Sequence, residues 1–221
     1  MHLEGAVDAD LLLALAGRNA VPLRWSTPAD IQAAYHFTAL QDFLDLYYDG
    51  CRVLRQERDF LELTRRYLQR ARMEGIWHAE MFIGPQSHTL RGVPIEAVMN
   101  GVLEAMSEAR AQGVGCALLP VVQRHRSEDE ALALLQALQP WWGEIAGFGL
   151  GGVEVGNPPA KFERFFSRCR AIGFRVVAHA GEEGTAMDVR AALELLGVDR
   201  IDHGNACVDD PALVQELAQR R

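Results

Sequence analysis

Lys161 is the only lysine among 22 basic side chains. Proteins that neutralise phosphates need clustered Lys and Arg. Against those 22 stand 30 acidic residues, a formal charge of −8, so nucleic acid is not an expected partner. Cysteine is scarce too. Cys51, Cys116, Cys169 and Cys207 lie far apart and form no CxxC, so neither a disulfide framework nor a thiolate metal knot is expected. The expectation is a reduced, cytoplasmic protein. No apolar run reaches the length of a membrane span. The start, MHLEGAVDAD, lacks a basic region, so it is not expected to be a signal peptide. No GxGxxG follows the first predicted strand, which disfavours a dinucleotide-binding sheet. Repeats of fixed period and low-complexity segments are missing as well.

What is present is a regular alternation of helical and strand patterns. With 221 residues, 49% of them hydrophobic, the chain can bury one sizeable core, and a single α/β domain over residues 1–221 is expected. Residues 8–18 and 40–49 read as helices. Ser26-Thr27-Pro28 reads as a cap with proline in the first turn. A long amphipathic helix is predicted over 57–74, ended by Gly75. Strands are predicted at 76–83, 115–122, 145–150, 174–180 and 199–204. Helices are predicted at 94–112, 128–139, 160–172, 186–196 and 210–220. Buried strands that do not alternate, separated by helices, argue for a parallel sheet. Five in series suit a doubly wound sheet or a (β/α)8 barrel.

The polar residues collect at one kind of place. His179, Glu182, Asp202 and His203 sit at or just after the C-terminal ends of predicted strands, as do Glu80, His125 and Glu154. In a barrel that end is the active face. A lone His at a strand end is more often a hydrogen-bonded structural residue than a ligand. Here two end consecutive strands, which favours function. A ligating His is best fixed on a strand, and small residues after it allow a tight turn. Glu182 then faces the same opening, placed for general acid/base work. A second His on the next strand can orient an activated water. His2-Leu3-Glu4-Gly5 adds another His and another acid. With no lysine on a strand to bridge two metals, one zinc-like ion is preferred to a pair.

Four segments in this order and spacing, MHLEG, GFGLGGVEVGNPP (147–159), VAHAGEEG (177–184) and RIDHG (200–204), resemble the adenosine/adenine deaminase family. That family consists of metal-dependent (β/α)8 TIM barrels. The similarity of pattern runs through essentially the whole chain. The resemblance implies a zinc-dependent purine aminohydrolase that replaces the C6 amino group of adenine, or of a modified adenine, to give a 6-oxopurine and ammonia. It implies one Zn²⁺ per subunit, with His179 and His2 as ligands. Glu182 would be the proton shuttle towards purine N1, and His203 would orient the attacking hydroxide. Gly152 would bring a backbone N–H to purine N3. Glu4 would lie where a ribose would otherwise sit, favouring the free base, and Glu154 would lie at the substrate. HLEG, EVGNPP and HAGEEG resemble the adenine deaminase-like branch, which typically reads GLDSSEVG. Here the polar Asp-Ser-Ser is replaced by Gly151-Gly152-Val153. Two readings of that change stay open: a roomier pocket for a modified adenine, or relief of a tight turn.

Against the family pattern, the first histidine of an HxH pair is missing, as are the last two barrel strands with their Asp–Asp motif. The expected fold is therefore an incomplete barrel, and the fragment as given is expected to be inactive alone. Asp209-Asp210-Pro211 is expected to be a helix cap rather than the missing metal ligand. The alternatives are an adenosine deaminase acting on the nucleoside, a non-catalytic barrel relic that binds purine or a partner, and a different metal hydrolase of the amidohydrolase type. The expected partner is a small purine base or nucleoside, with no membrane.

Overall fold

Two strands are buried along almost their whole length, and they set the architecture. Gly147–Gly151 is wholly buried, and Arg175–Ala180 is buried after its first residue. Strands covered on both faces belong to parallel sheets flanked by helices. The computed structural model describes residues 1–220. Its strands are β1 (His78–Ile83), β2 (Gly115–Gln123), β3 (Gly147–Gly151), β4 (Arg175–Ala180) and β5 (Arg200–His203), hydrogen-bonded in the order β1-β2-β3-β4-β5. β2 to β5 pair in parallel. Strictly sequential order is that of successive β/α units of a barrel. A doubly wound sheet would reverse direction at a switch point. All five predicted strands are present, within two residues at each start.

The helices are α1 (Ala9–Arg18), α2 (Pro28–Ala34), α3 (Leu40–Cys51), α4 (Glu57–Met73), α5 (Gln86–Thr89), α6 (Ile95–Ala111), α7 (Glu128–Ala137), α8 (Glu163–Ile172), α9 (Ala186–Ala191) and α10 (Pro211–Gln219). The chain falls into two compact units. One comprises Met1–Leu119 with Pro140–Glu144, the other Pro120–Gln139 with Ile145–Arg221.

In the first unit, α4 opens with a capping box between Gln56 and Asp59, which satisfies amide groups a helix start leaves unpaired. It buries Phe60, Leu63, Thr64 and Leu68 and packs along α6, which buries Val98, Val102, Ala105 and Met106. Asp59 is fully buried. It accepts from Arg18 Nη1 at 3.0 Å, Asn19 Nδ2 at 2.7 Å and the amides of Arg55 and Gln56 at 3.0 and 2.9 Å, so its charge is met on both oxygens. The expected cap at Thr27 forms, with Asp30 completing a capping box. Met1 and His2 lie alongside β1. The Met1 amino group donates to Glu80 O at 2.9 Å, Phe82 N donates to Met1 O at 2.7 Å, and His2 bridges Phe82 in parallel.

In the second unit, Phe148, Phe162, Phe165 and Phe166 are completely buried. Phe148 meets Phe165 edge-on at 5.9 Å, and Phe165 meets Phe166 edge-on at 5.2 Å. Each such ring contributes about 1.5–3 kcal/mol of burial before entropy is charged. Two predicted helices are less regular than expected. The one predicted from residue 160 begins as a 3-10 turn, Pro159–Phe162, and only then becomes α8. The one predicted over 186–196 ends in a π turn, Ala192–Leu196, closed by left-handed Gly197. Asp210 caps α10, accepting from Ala212 N and Leu213 N. The expected role of Asp209-Asp210-Pro211 as a helix start thus holds.

Candidate active site

In the second unit β4 and β5 run side by side with His179 opposite Asp202 and Ala180 opposite His203. Register alone would put the His203 side chain on the face of Ala180, away from His179, because side chains alternate along a strand. The backbone of His203 is left-handed, φ +72°. That conformation is costly for a residue with a Cβ and concentrates at functional sites. It re-aims the imidazole, and the His179 and His203 rings lie 4.8 Å apart. His203 Nε2 stands 3.5 Å from Glu182 Oε2. The structure therefore gathers His179, Glu182 and His203 at one end of two neighbouring strands.

The loop between His179 and α9 is held by contacts that side chains other than Gly would spoil. Gly181 is left-handed, φ +69°, and a Cβ there would come within 2.6 Å of Val189 Cγ2. The His179 ring lies over Gly151 of β3, where a Cβ would stand 3.0 Å from its Cδ2 and 2.9 Å from Val121 Cγ1. Thr185 then starts α9 with a capping box to Asp188.

Glu154 is 4% exposed. Its carboxylate accepts from the amides of Gly181 at 2.7 Å and of Glu182, Glu183 and Gly184 at 2.9 Å each. Arg124, fully buried, approaches Glu154 at 3.8 Å and donates through the same Nη1 to the carbonyl of His179 at 2.8 Å. Its Nε donates to Asn157 O, and Lys161 Nζ bonds both Arg124 O and Asn157 Oδ1. Burial lowers the Arg124 guanidinium, opposed by the charge of Glu154. Burial raises the Glu182 carboxyl, with His203 working against it and Glu154 adding to it. Burial also raises Asp202, against the pull of Arg200, whose Nε donates to it at 2.8 Å.

The other candidates from the sequence are placed as follows. Gly152 follows β3 with φ +95°. Glu154 is occupied with the loop backbone rather than open to a small molecule. His125 is exposed beside buried Arg124. In the first unit Glu80 is exposed on β1, and the His2 ring packs 4.9 Å from Phe82. Glu4 is buried, accepting from Gly84 N at 2.7 Å and from His88 Nε2 at 3.1 Å. Arg91 Nη2 donates to His88 Nδ1 at 2.9 Å. A guanidinium only donates, so Nδ1 accepts and Nε2 carries the hydrogen that Glu4 receives. Burial lowers His88, keeping it neutral. Burial alone would raise Glu4, but His88 and the Gly84 amide outweigh it and hold the carboxyl low.

Sequence reasoning missed Arg124. An Arg in the run Gln123-Arg124-His125 reads as a solvated loop residue, and only its distant partners Glu154 and His179 show that it is internal. Among the described residues no three His, Cys, Asp or Glu side chains gather for a metal. The donor chemistry of the second unit nonetheless suits zinc in kind: an imidazole fixed on a buried strand, with another beside it.

The adenosine deaminase family model matches residues 1–221. An adenine deaminase of Rhodopseudomonas palustris is 56% identical over 222 residues, covering 100% of this chain and 65% of that protein. The crystal structure of an adenine deaminase from Arthrobacter aurescens superimposes with a TM-score of 0.96 at 45% identity, over 99% of this chain and 67% of its own. An amidohydrolase from Burkholderia ambifaria, solved with bound Zn, gives 0.90 at 33% identity, over 99% and 61%. The chain thus spans between 61% and 67% of the length of these relatives. Its five sequential strands are part of their barrel, as the expected incomplete (β/α)8 fold requires.

Proposed function

The chain belongs to the adenosine deaminase family, and on that premise we propose that it carries acid/base machinery of a zinc-dependent aminohydrolase acting at C6 of adenine. The observation that carries this reading is the approach of Glu182 to His203, 3.5 Å, beside His179. Water and adenine would give hypoxanthine and ammonia. Glu182, half-buried and with its carboxyl raised above the ordinary range by burial, is placed to take a proton from water and pass it to purine N1. His203, turned inward by its left-handed backbone, orients the attacking water. The backbone N–H at Gly152, free of a side chain, meets N3.

His179 is the ligand that the second unit offers to zinc. The role of His2 rests on the match at MHLEG. A zinc ion supplies a more acidic water and charge to stabilise the transition state. The remaining coordination is assigned to the part of its relatives that this chain does not span.

Adenine is preferred to adenosine because the relative at 56% identity is named an adenine deaminase. The replacement of Asp-Ser-Ser by Gly151-Gly152-Val153 makes N6-substituted adenines the substrates to test beside adenine. The test is zinc content together with ammonia release from adenine, N6-substituted adenines and adenosine. It is run on this chain and on the protein read through its natural frame at both ends. Ammonia from a free base, with zinc retained, supports the reading. Neither metal nor ammonia in either protein defeats it.

A further inference from the structure

A buried carboxylate beside a catalytic one is expensive unless it does something that an uncharged side chain cannot. Glu154 stands next to the loop that carries Glu182, and it is engaged by four consecutive amides of that loop. Successive amides that converge on one anion form a nest, and charge-assisted bonds of this kind are the strong ones. Arg124 completes the arrangement from the other side, bonding the carbonyl of His179 while facing Glu154. The loop backbone is thus held by opposite charges at its two ends: its first carbonyl by a cation, its amides by an anion.

We infer that Arg124 and Glu154 form a positioning clamp that fixes the segment His179–Gly184 and so sets the Glu182 carboxyl against His203. Glu154 acts here through the backbone, not on the substrate. The clamp also explains Gly184, where a Cβ would meet Glu154 Oε1 at 2.6 Å. The catalytic consequence rests on the function proposed above for Glu182; the clamp itself does not.

Two variants test it. Glu154→Gln keeps the shape and turns one acceptor into a donor that faces amide hydrogens. Gly184→Ala keeps every charge and its Cβ meets the carboxylates of both Glu154 and Asp188; with Asp188→Asn as the control that loosens the α9 cap alone, it decides the matter if Glu154→Gln does not fold. Hydrogen exchange on peptides spanning 179–185 is expected to quicken by roughly tenfold in both, with peptides from β3 and α8 unchanged. In the protein read through its natural frame, kcat for adenine is expected to fall on the order of a hundredfold with KM held, as misplacing a reacting group does. Unchanged exchange in both variants overturns the clamp. Faster exchange with unchanged kcat overturns its positioning role. A wild-type protein that releases no ammonia from any purine defeats the functional reading instead, and the exchange measurement still decides the clamp.

Discussion

Glu182 Oε2 stands 3.5 Å from His203 Nε2, a relationship made by two unusual backbones: the turn at Gly181 and the left-handed conformation of His203 itself. Glutamine keeps the shape of the glutamate side chain. Glu182→Gln is therefore expected to leave the unfolding midpoint in place and to lower kcat for adenine by about a hundredfold or more, the usual contribution of a general acid/base. Steady-state kinetics beside thermal unfolding checks both halves. A variant that keeps its kcat removes Glu182 from the mechanism.

Gly151 makes room for the His179 ring, and Gly151→Ala puts a methyl group 3.0 Å from its Cδ2. The ring must tilt. Zinc affinity is expected to drop by about 10–100-fold, the cost of disturbing what orients a ligand. Competition with a chromophoric chelator measures it. Wild-type affinity in this variant would mean that Gly151 does not set the orientation of the His179 ring.

β3 and β4 were readable because their burial does not alternate, and β4 was expected at 174–180 against an observed Arg175–Ala180. The site was readable in part for the same reason: His179 and His203 end consecutive strands, so neighbourhood in the sheet follows from order in the chain. Arg124 was not readable, since its burial depends on a carboxylate 30 positions away in sequence. Glu154 was expected just after a strand end and at the substrate; the partners it has here are backbone amides, which leave no mark in a sequence. Nor does any motif announce that His203 abandons the strand geometry, a choice set by the loop that follows it.

Stability below neutral pH should depend on Asp199. Its side chain accepts from Val176 N at 2.8 Å and Arg175 Nη1 at 2.6 Å. Burial would raise this carboxyl, but the amide bond and the guanidinium more than offset it, so it lies below its ordinary value. A carboxyl lowered by folding contributes stability that is present above its unfolded pKa, near 4, and is lost as pH falls through the folded value. Urea midpoints followed downward from pH 5 should therefore decline less steeply in Asp199→Asn than in wild type. Parallel curves would deny the contribution.

The thiols divide by exposure. Cys51, Cys116 and Cys169 are buried, and burial raises all three, Cys169 to about 12. Only thiolate reacts. Cys207 is partly exposed. A thiol reagent at neutral pH should label Cys207 quickly and the other three only after denaturation, as peptide mapping will show. Fast labelling of Cys169 in the native protein would contradict the packing of α8.

The central claim is hydrolysis at C6, and labelled water tests it most directly. Adenine is incubated in H₂¹⁸O with the protein read through its natural frame, and purine and ammonia are followed together by mass spectrometry and enzymatic assay. The account predicts hypoxanthine carrying one ¹⁸O at C6, one ammonia per purine, and both products slowed together by about a hundredfold or more in Glu182→Gln. Adenine left unchanged, or consumed without ¹⁸O at C6, would contradict it.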